Sequence, residues 1–146
     1  MRGAGAVLTA GGVVIIGELH GTEESPAVFA ELVCIAAAKR LSIRVGLELA
    51  TDDVASLPRY LASDGSSDAR AALRASRVFK GANDGRSSAA MAREIAAVHA
   101  TAPTDLVLAL VGRNHARIDQ DSEWDEPLGW QLRRRGSPSL RSTRLT

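Results

Sequence analysis

The sequence predicts an α/β fold, a small, mostly parallel sheet with helices on both faces. Two observations carry this. Val13 to Ile16 is a continuous apolar, β-branched run and "DLVLALVG", residues 105–112, a second largely apolar one, and such runs suit strands buried on both sides; "IRVGLEL", residues 43–49, reads as a further strand between them. Between them lie segments with apolar residues at helical spacing, such as Phe29, Leu32, Val33 and Ala36. Strand, helix, strand in that order calls for parallel strands joined by right-handed crossovers.

The elements follow in chain order. Val13 to Ile16 is the first strand. Ser25-Pro26 reads as a helix N-cap with proline at the first helical position. That helix ends near Lys39-Arg40, where cations suit its negative end. "IRVGLEL", residues 43–49, is the second strand. Asp52 to Ala62 is a short helix started by Thr51 or Asp52 and disturbed by Pro58. "SDGSSD", residues 63–68, is a turn, after which Asp68 can cap a helix to about Arg77. "KGANDGRSS", residues 80–88, is a loop. Met91, Ile95 and Val98 mark a helix over 89–100, and "DLVLALVG", residues 105–112, is the third strand.

Composition narrows the functional classes. The length of 146 residues suits one domain, and 45% hydrophobic content supports a core built from Ala, Val, Leu and Ile, since aromatics are only 3%. A formal charge of +1 gives no case for nucleic acid as a partner. The single cysteine, Cys34, rules out a disulfide framework and a cysteine metal knuckle. Lying among Leu32, Val33 and Ile35, it is expected to be a small core residue. No apolar window is long enough for a membrane span. Met1 to Gly17 starts like a weak signal peptide, but glycines break its apolar run and no A-x-A site follows. The chain as written is expected in the cytoplasm, or exported if a signal lies upstream.

The last segment changes character. Five acids fall in residues 119–126, and five arginines with no acid in 133–146. Residues 1–118 are therefore expected to form the α/β domain and 119–146 a charged, disordered tail.

The three strands end in polar residues: Glu18 and His20 after the first, Glu48 after the second, Asn114 and His115 after the third. Ligands of parallel sheets bind at the carboxyl ends of strands, so these residues are expected on one edge. In extended backbone, i and i+2 point to one side, which would let Glu18 and His20 face a site together. Carboxylate and imidazole suit Zn, Mn, Fe or Co, and either can act as general base. Gly17 and Gly21 allow a sharp turn and a close approach to a ligand. Glu48, flanked by apolar residues, must be paired or ligating if buried. Glu23 and Glu24 are accounted for by the helix that follows them, and His99 is expected to be partly buried without a role. Arg86, in "DGRSS", either belongs to an ordinary turn capped by Ser87 or Ser88 or presents its guanidinium to a carboxylate or phosphate. No G-x-S-x-G elbow marks Ser87 as a nucleophile.

"GELHGTEESP", "VGLELA", "DGRSS-AM" and "VGRNHA" resemble the superfamily of ChaN-type haem-binding uptake domains, Tiki (TraB-like) metalloproteases and erythromycin esterases. The signature is a G-x-x-H element after the first strand, a glutamate after the next and a second G-x-x-H late in the chain. Here these are Gly17–His20, Glu48 and Gly112–His115, within a stretch of about residues 10–118. The resemblance implies an α/β sheet with the site at its strand ends, made by Glu18, His20, Glu48 and His115; Arg86 and Asn114, from their own places in the loop and at the third strand end, are expected as further binding residues. Glu18, His20 and His115 would hold a metal. It also implies a choice of functions: cleavage of a peptide or small-molecule ester, metal-dependent in the leading reading and metal-free in another, or haem binding in iron uptake without catalysis. Only 23 residues lie between Ser88 and Gly112, room for one helix. This implies a shortened version of the fold, which could be a degenerate inactive member or form a homodimer across an open sheet edge.

Overall fold

The computed structural model describes residues 4–19, 21–48, 55–75, 88–120, 126–136 and 140–144. It is α/β, as the sequence predicts, and forms two compact units, one of Met1–Glu48 with Ser87–Thr146 and one of Leu49–Arg86.

The first unit begins with a short helix α1 (Ala4–Val7), strand β1 (Val13–Glu18), helix α2 (Glu24–Ala38) and strand β2 (Ile43–Leu47). After the second unit come helix α5 (Ser88–Thr101), strand β3 (Leu106–Gly112), helix α6 (Leu128–Arg134) and strand β4 (Leu140–Arg144). The second unit holds α3 (Ser56–Leu61) and α4 (Ser67–Ala75). The sheet has the order β2-β3-β1-β4, and every neighbouring pair is parallel. The two strands on either side of α2 are thus parallel but not adjacent, because β3 inserts between them.

The reason is burial. All seven residues of β3 and the first five of β1 are buried, so both strands must be covered on each face and paired on each edge. Strand alternation divides their side chains. Val14 and Ile16 of β1 join Leu106, Leu108 and Leu110 of β3 in one core with Leu8, Phe29, Leu32 and Ala36. Val13 and Ile15 join Val107, Ala109 and Val111 in the opposite core with Met91, Ala92, Leu128 and Leu132. Helix α2 therefore covers one face, and α5 with α6 the other. Each fully buried aliphatic side chain contributes roughly 1.5–3 kcal/mol.

Several local expectations are corrected. Helix α2 starts at Glu24, ahead of the expected Ser25-Pro26 start, and Glu23 caps it without a side-chain hydrogen bond. First-turn N–H groups have no intrahelical acceptor, so Pro26 loses nothing there. Thr22 Oγ1 lies 2.9 Å from the Leu19 carbonyl and 3.0 Å from Ser25 Oγ, which tightens the entry. Cys34 is exposed rather than in the core. It lies two residues past Leu32, about 200° round the helix from the stripe that faces the sheet.

Helix α3 starts at Ser56, later than expected, with Pro58 in its first turn; Thr51 and Asp52 lie outside the described residues. In α4 the cap falls to Ser66, whose Oγ accepts the Ala69 N–H at 3.2 Å, while Asp68 sits in the first turn. The turn before it is closed by Asp64 Oδ1, which accepts the Ser66 N–H at 2.9 Å, with Gly65 at φ +67°.

The largest correction concerns residues 119–146. Their described part includes a helix with Leu128 and Leu132 fully buried and a strand that pairs with β1 from Val13↔Leu140 to Gly17↔Arg144. The helix is too short for its i, i+4 leucine pair to outweigh the surrounding charge in a compositional reading. The uncovered side of β1 and β3 supplies what that pair packs against. Among the described residues no helix is long and apolar enough to cross a membrane.

One ion pair ties the start of β3 to β2. Arg44 Nε donates to Asp105 Oδ2 at 2.7 Å. This bond, and a second from Ser42, hold the Asp105 carboxyl below its ordinary value of 3.8 against the opposing effect of desolvation. The folded state thus binds this proton less readily than the unfolded chain. The resulting stability is fully present above 3.8 and is lost as pH falls through the lowered folded value. Asp105→Asn should accordingly be less stable than wild type at neutral pH. The gap in urea midpoint should narrow as the pH is taken below 3.8; a gap independent of pH would contradict this role.

Candidate functional site at the strand ends

Where β2 and β3 run out, their backbone ladder is completed by a side chain. The Glu48 N–H donates to the Leu110 carbonyl at 3.1 Å. The next rung of a parallel ladder runs from the Gly112 N–H toward Glu48, and it is carboxylate Oε2 that receives it, at 2.7 Å. Half-buried Glu48 is therefore anchored by one oxygen, and the other, Oε1, faces His115 Nε2 at 3.5 Å.

His115 is carried by a tight turn after β3. Its N–H and that of Ala116 both donate to the Gly112 carbonyl, at 2.9 and 3.2 Å. The Arg113 N–H donates to the Glu18 carbonyl at 2.8 Å, which pins the turn to the end of β1. Gly17 makes room for it. A Cβ there would lie 2.9 Å from Ala116 Cβ and 3.0 Å from Arg113 Cα. The glycine expected to bend the chain at β1 thus serves a close approach between backbones. Gly21, at φ +88°, is the one that uses glycine's conformational freedom.

From the other side, α6 holds the same turn. The Gly129 N–H donates to the His115 carbonyl at 3.2 Å and the Trp130 N–H to the Arg117 carbonyl at 3.0 Å. A Cβ on Gly129 would come within 2.7 Å of the Arg117 oxygen and 2.8 Å of the Ala116 oxygen. The segment expected to be a tail is therefore part of what positions His115.

The second ring nitrogen of His115 is also engaged, since Nδ1 lies 2.8 Å from Ser88 Oγ. Ser88 opens α5 and is 6% exposed. The sequence reading took it only as a possible cap. A signal for it was present: Ser88 lies three and four residues before Met91 and Ala92 and so shares the stripe they turn to the sheet.

The other expected site residues fall as follows. Glu18 is half-buried at the end of β1, in register with Gly112. By alternation it belongs to the face of Val14 and Ile16, whereas Glu48 follows Arg44 and Gly46 on the face of Val107 and Ala109. Asn114 is exposed in the His115 turn. His20 and Arg86 lie outside the described residues. His99 is half-buried, and its Nε2 donates to the Gly11 carbonyl at 3.0 Å, a structural tie. Among the described residues no group of three or more His, Cys, Asp or Glu side chains is arranged to hold a metal ion. The donors that face one another are Glu48 and His115.

The packing of the turn is open to test. Gly17→Ala and Gly129→Ala each force a Cβ against backbone or a short side chain that cannot swing away. Each should cost about 1–3 kcal/mol, as overpacking does, and lower Tm by several degrees. Each should also shift the His115 resonances in an NMR spectrum. Unchanged Tm in both variants would show that the turn has more room than its geometry implies.

No protein-family model, no curated protein and no solved structure matches this chain.

Proposed function

We propose that the chain is a metal-dependent hydrolase whose site lies at the ends of β2 and β3, centred on His115 and Glu48. The observation that carries this reading is the facing pair, His115 Nε2 and Glu48 Oε1, at 3.5 Å. Each member is held from behind, His115 by Ser88 Oγ and Glu48 by the Gly112 N–H. A charge-assisted N–H···O bond would draw them to about 2.7–2.9 Å. The wider gap suits two donors that share one divalent ion, each at roughly 2.0–2.2 Å from it. Ligating histidines commonly have their second nitrogen held by an outer partner, and ligating carboxylates are hydrogen-bonded in turn.

The chain's residues take distinct roles in this reading. His115 presents Nε2 as a ligand. Glu48 acts as ligand or as the base that takes a proton from water. Glu18 and His20 supply further donors from the end of β1, as the two G-x-x-H elements imply. Asn114, exposed in the same turn, is a candidate contact for the substrate. A bound divalent ion would polarise a carbonyl and lower the pKa of its water toward neutrality. The side chain of His115 is 31% exposed and that of Glu48 13%, so the pair can be reached from solvent while the carboxylate is largely desolvated. The substrate class is a small ester or a peptide.

The test is metal content. Protein supplied with Zn or Mn should hold about one equivalent by mass spectrometry of the purified chain. His115→Ala and Glu48→Ala should each lose more affinity than the roughly 10–100-fold that follows loss of an outer partner, with parallel loss of ester or peptide cleavage. The reading is overturned if wild type and variants hold equally little metal and none cleaves either substrate class. A Soret band on adding haemin, lost in His115→Ala, would favour the haem-uptake alternative instead.

A further inference from the structure

We infer that Ser88 is a positioning residue that fixes the tautomer of His115, keeping the proton on Nδ1 and the lone pair on Nε2. The two distances around the ring point this way. Neutral imidazole has one N–H and one bare nitrogen, and the partner of one decides the state of the other. If Nε2 carried the proton, it would face the Glu48 carboxylate and should close to about 2.7–2.9 Å. The observed separation is 3.5 Å. If Nδ1 carries the proton, it donates to Ser88 Oγ, and the observed 2.8 Å is an ordinary N–H···O distance. The long side then follows as well, because two lone-pair atoms, Nε2 and Oε1, face each other and stay apart.

The surroundings reinforce the choice. Ser88 is 6% exposed at the start of α5, so water has little room to replace its hydroxyl. Glu48 cannot easily advance on Nε2, because its other oxygen is tied to the Gly112 N–H at 2.7 Å. Nor can His115 readily tip toward Glu48, because its turn is clamped between the Glu18 carbonyl and the N–H groups of Gly129 and Trp130. Ser88 therefore does at a distance what the site needs. It leaves Nε2 bare and aimed at the space in front of Oε1, ready for a cation. In its consequence for metal binding this inference rests on the proposed hydrolase reading; in its geometry it does not.

The test begins without metal. Long-range ¹⁵N–¹H correlation spectra of the full chain, taken across a range of pH, report which nitrogen of each neutral histidine is protonated. Wild-type His115 should show the Nδ1–H pattern. Ser88→Ala should convert it to Nε2–H, now donated to Glu48, and Ser88→Thr, which keeps the hydroxyl, should restore Nδ1–H. An Nε2–H pattern in wild type overturns the inference whether or not any variant folds, and so does an unchanged pattern in Ser88→Ala. Titration with Co²⁺, read by its visible absorption, gives the second readout. Ser88→Ala should bind roughly 10–100-fold more weakly and Ser88→Thr close to wild type. If the tautomer switches as expected but wild type binds no Co²⁺, the positioning role stands and the metal-hydrolase reading is the one that fails. Equal Co²⁺ affinity in wild type and Ser88→Ala overturns the role of Ser88 in metal binding.

Discussion

The constraint on which this structure depends is that β3 is apolar on both faces. Leu106 to Gly112 is buried throughout, so the strand must lie inside the sheet with helices above and below. That condition places β2 on one side of β3 and β1 on the other, although β3 comes last of the three in the chain. It also brings the carboxyl ends of β1, β2 and β3 side by side. The close approach of Glu48 and His115, 67 residues apart in the chain, is thus a consequence of hydrophobic burial. Burial alone does not decide what the strand ends do. The termination of the ladder does. A strand-end N–H away from water needs an acceptor, and at Gly112 that acceptor is a carboxylate. A charged group held in place by the backbone is then available to act on whatever His115 faces.

Much of this arrangement was legible in the sequence where the signal was periodic. The apolar runs identified β1 and β3, and the spacing of Phe29, Leu32 and Ala36 identified the buried face of α2. Glu48 stood out because a carboxylate flanked by apolar residues needs a partner once buried, and His115 because it follows a strand and a glycine. The failures have equally physical causes. The spacing that exposes Cys34 is visible in hindsight, but its apolar neighbours in the chain suggested a core position. Sequence neighbours on a helix point in different directions, so only residues three or four apart inform one another. Ser88 was hidden because a serine at a helix start already has an ordinary role as a cap. Its spacing to Met91 and Ala92 shows that it faces the sheet, but not that His115, 27 residues on, is what it meets there.

Residues 119–146 depart from the expected tail for another reason. Their composition is charged and arginine-rich, and composition speaks for disorder only when a segment has nothing to bury. Leu128 and Leu132 suffice here because the sheet face they meet, with Val13, Ile15 and Val107, would otherwise be open. Gly129 lets the helix reach the carbonyls of the His115 turn. The arginines do not oppose this. Arg133 and Arg134 lie in the last turn of α6, where cations suit the helix end, and Arg134 also lies over the Trp130 ring at 4.7 Å. The same residues that made the segment look unstructured stabilise the helix once its apolar side is covered.

Strand alternation bears on how the proposed site can be built. Glu18 follows the face of Val14 and Ile16, and Glu48 the face of Arg44 and Gly46. Two carboxylates on opposite faces of a sheet are separated by the sheet itself as long as both lie within it. They can serve one centre only past its edge, where the pleat no longer governs direction. His115 meets this condition because its turn folds back over the ends of β1 and β3, fastened to the Glu18 carbonyl on one side and to α6 on the other. The pair of Glu48 with His115 is therefore set by the fold on the α5 and α6 side. Any share that Glu18 takes has to come from around the end of β1. This ordering makes the Glu48–His115 pair the primary element of the proposed centre and the "GELH" segment its complement, the reverse of the weight that sequence inspection gives to a carboxylate and a histidine two residues apart.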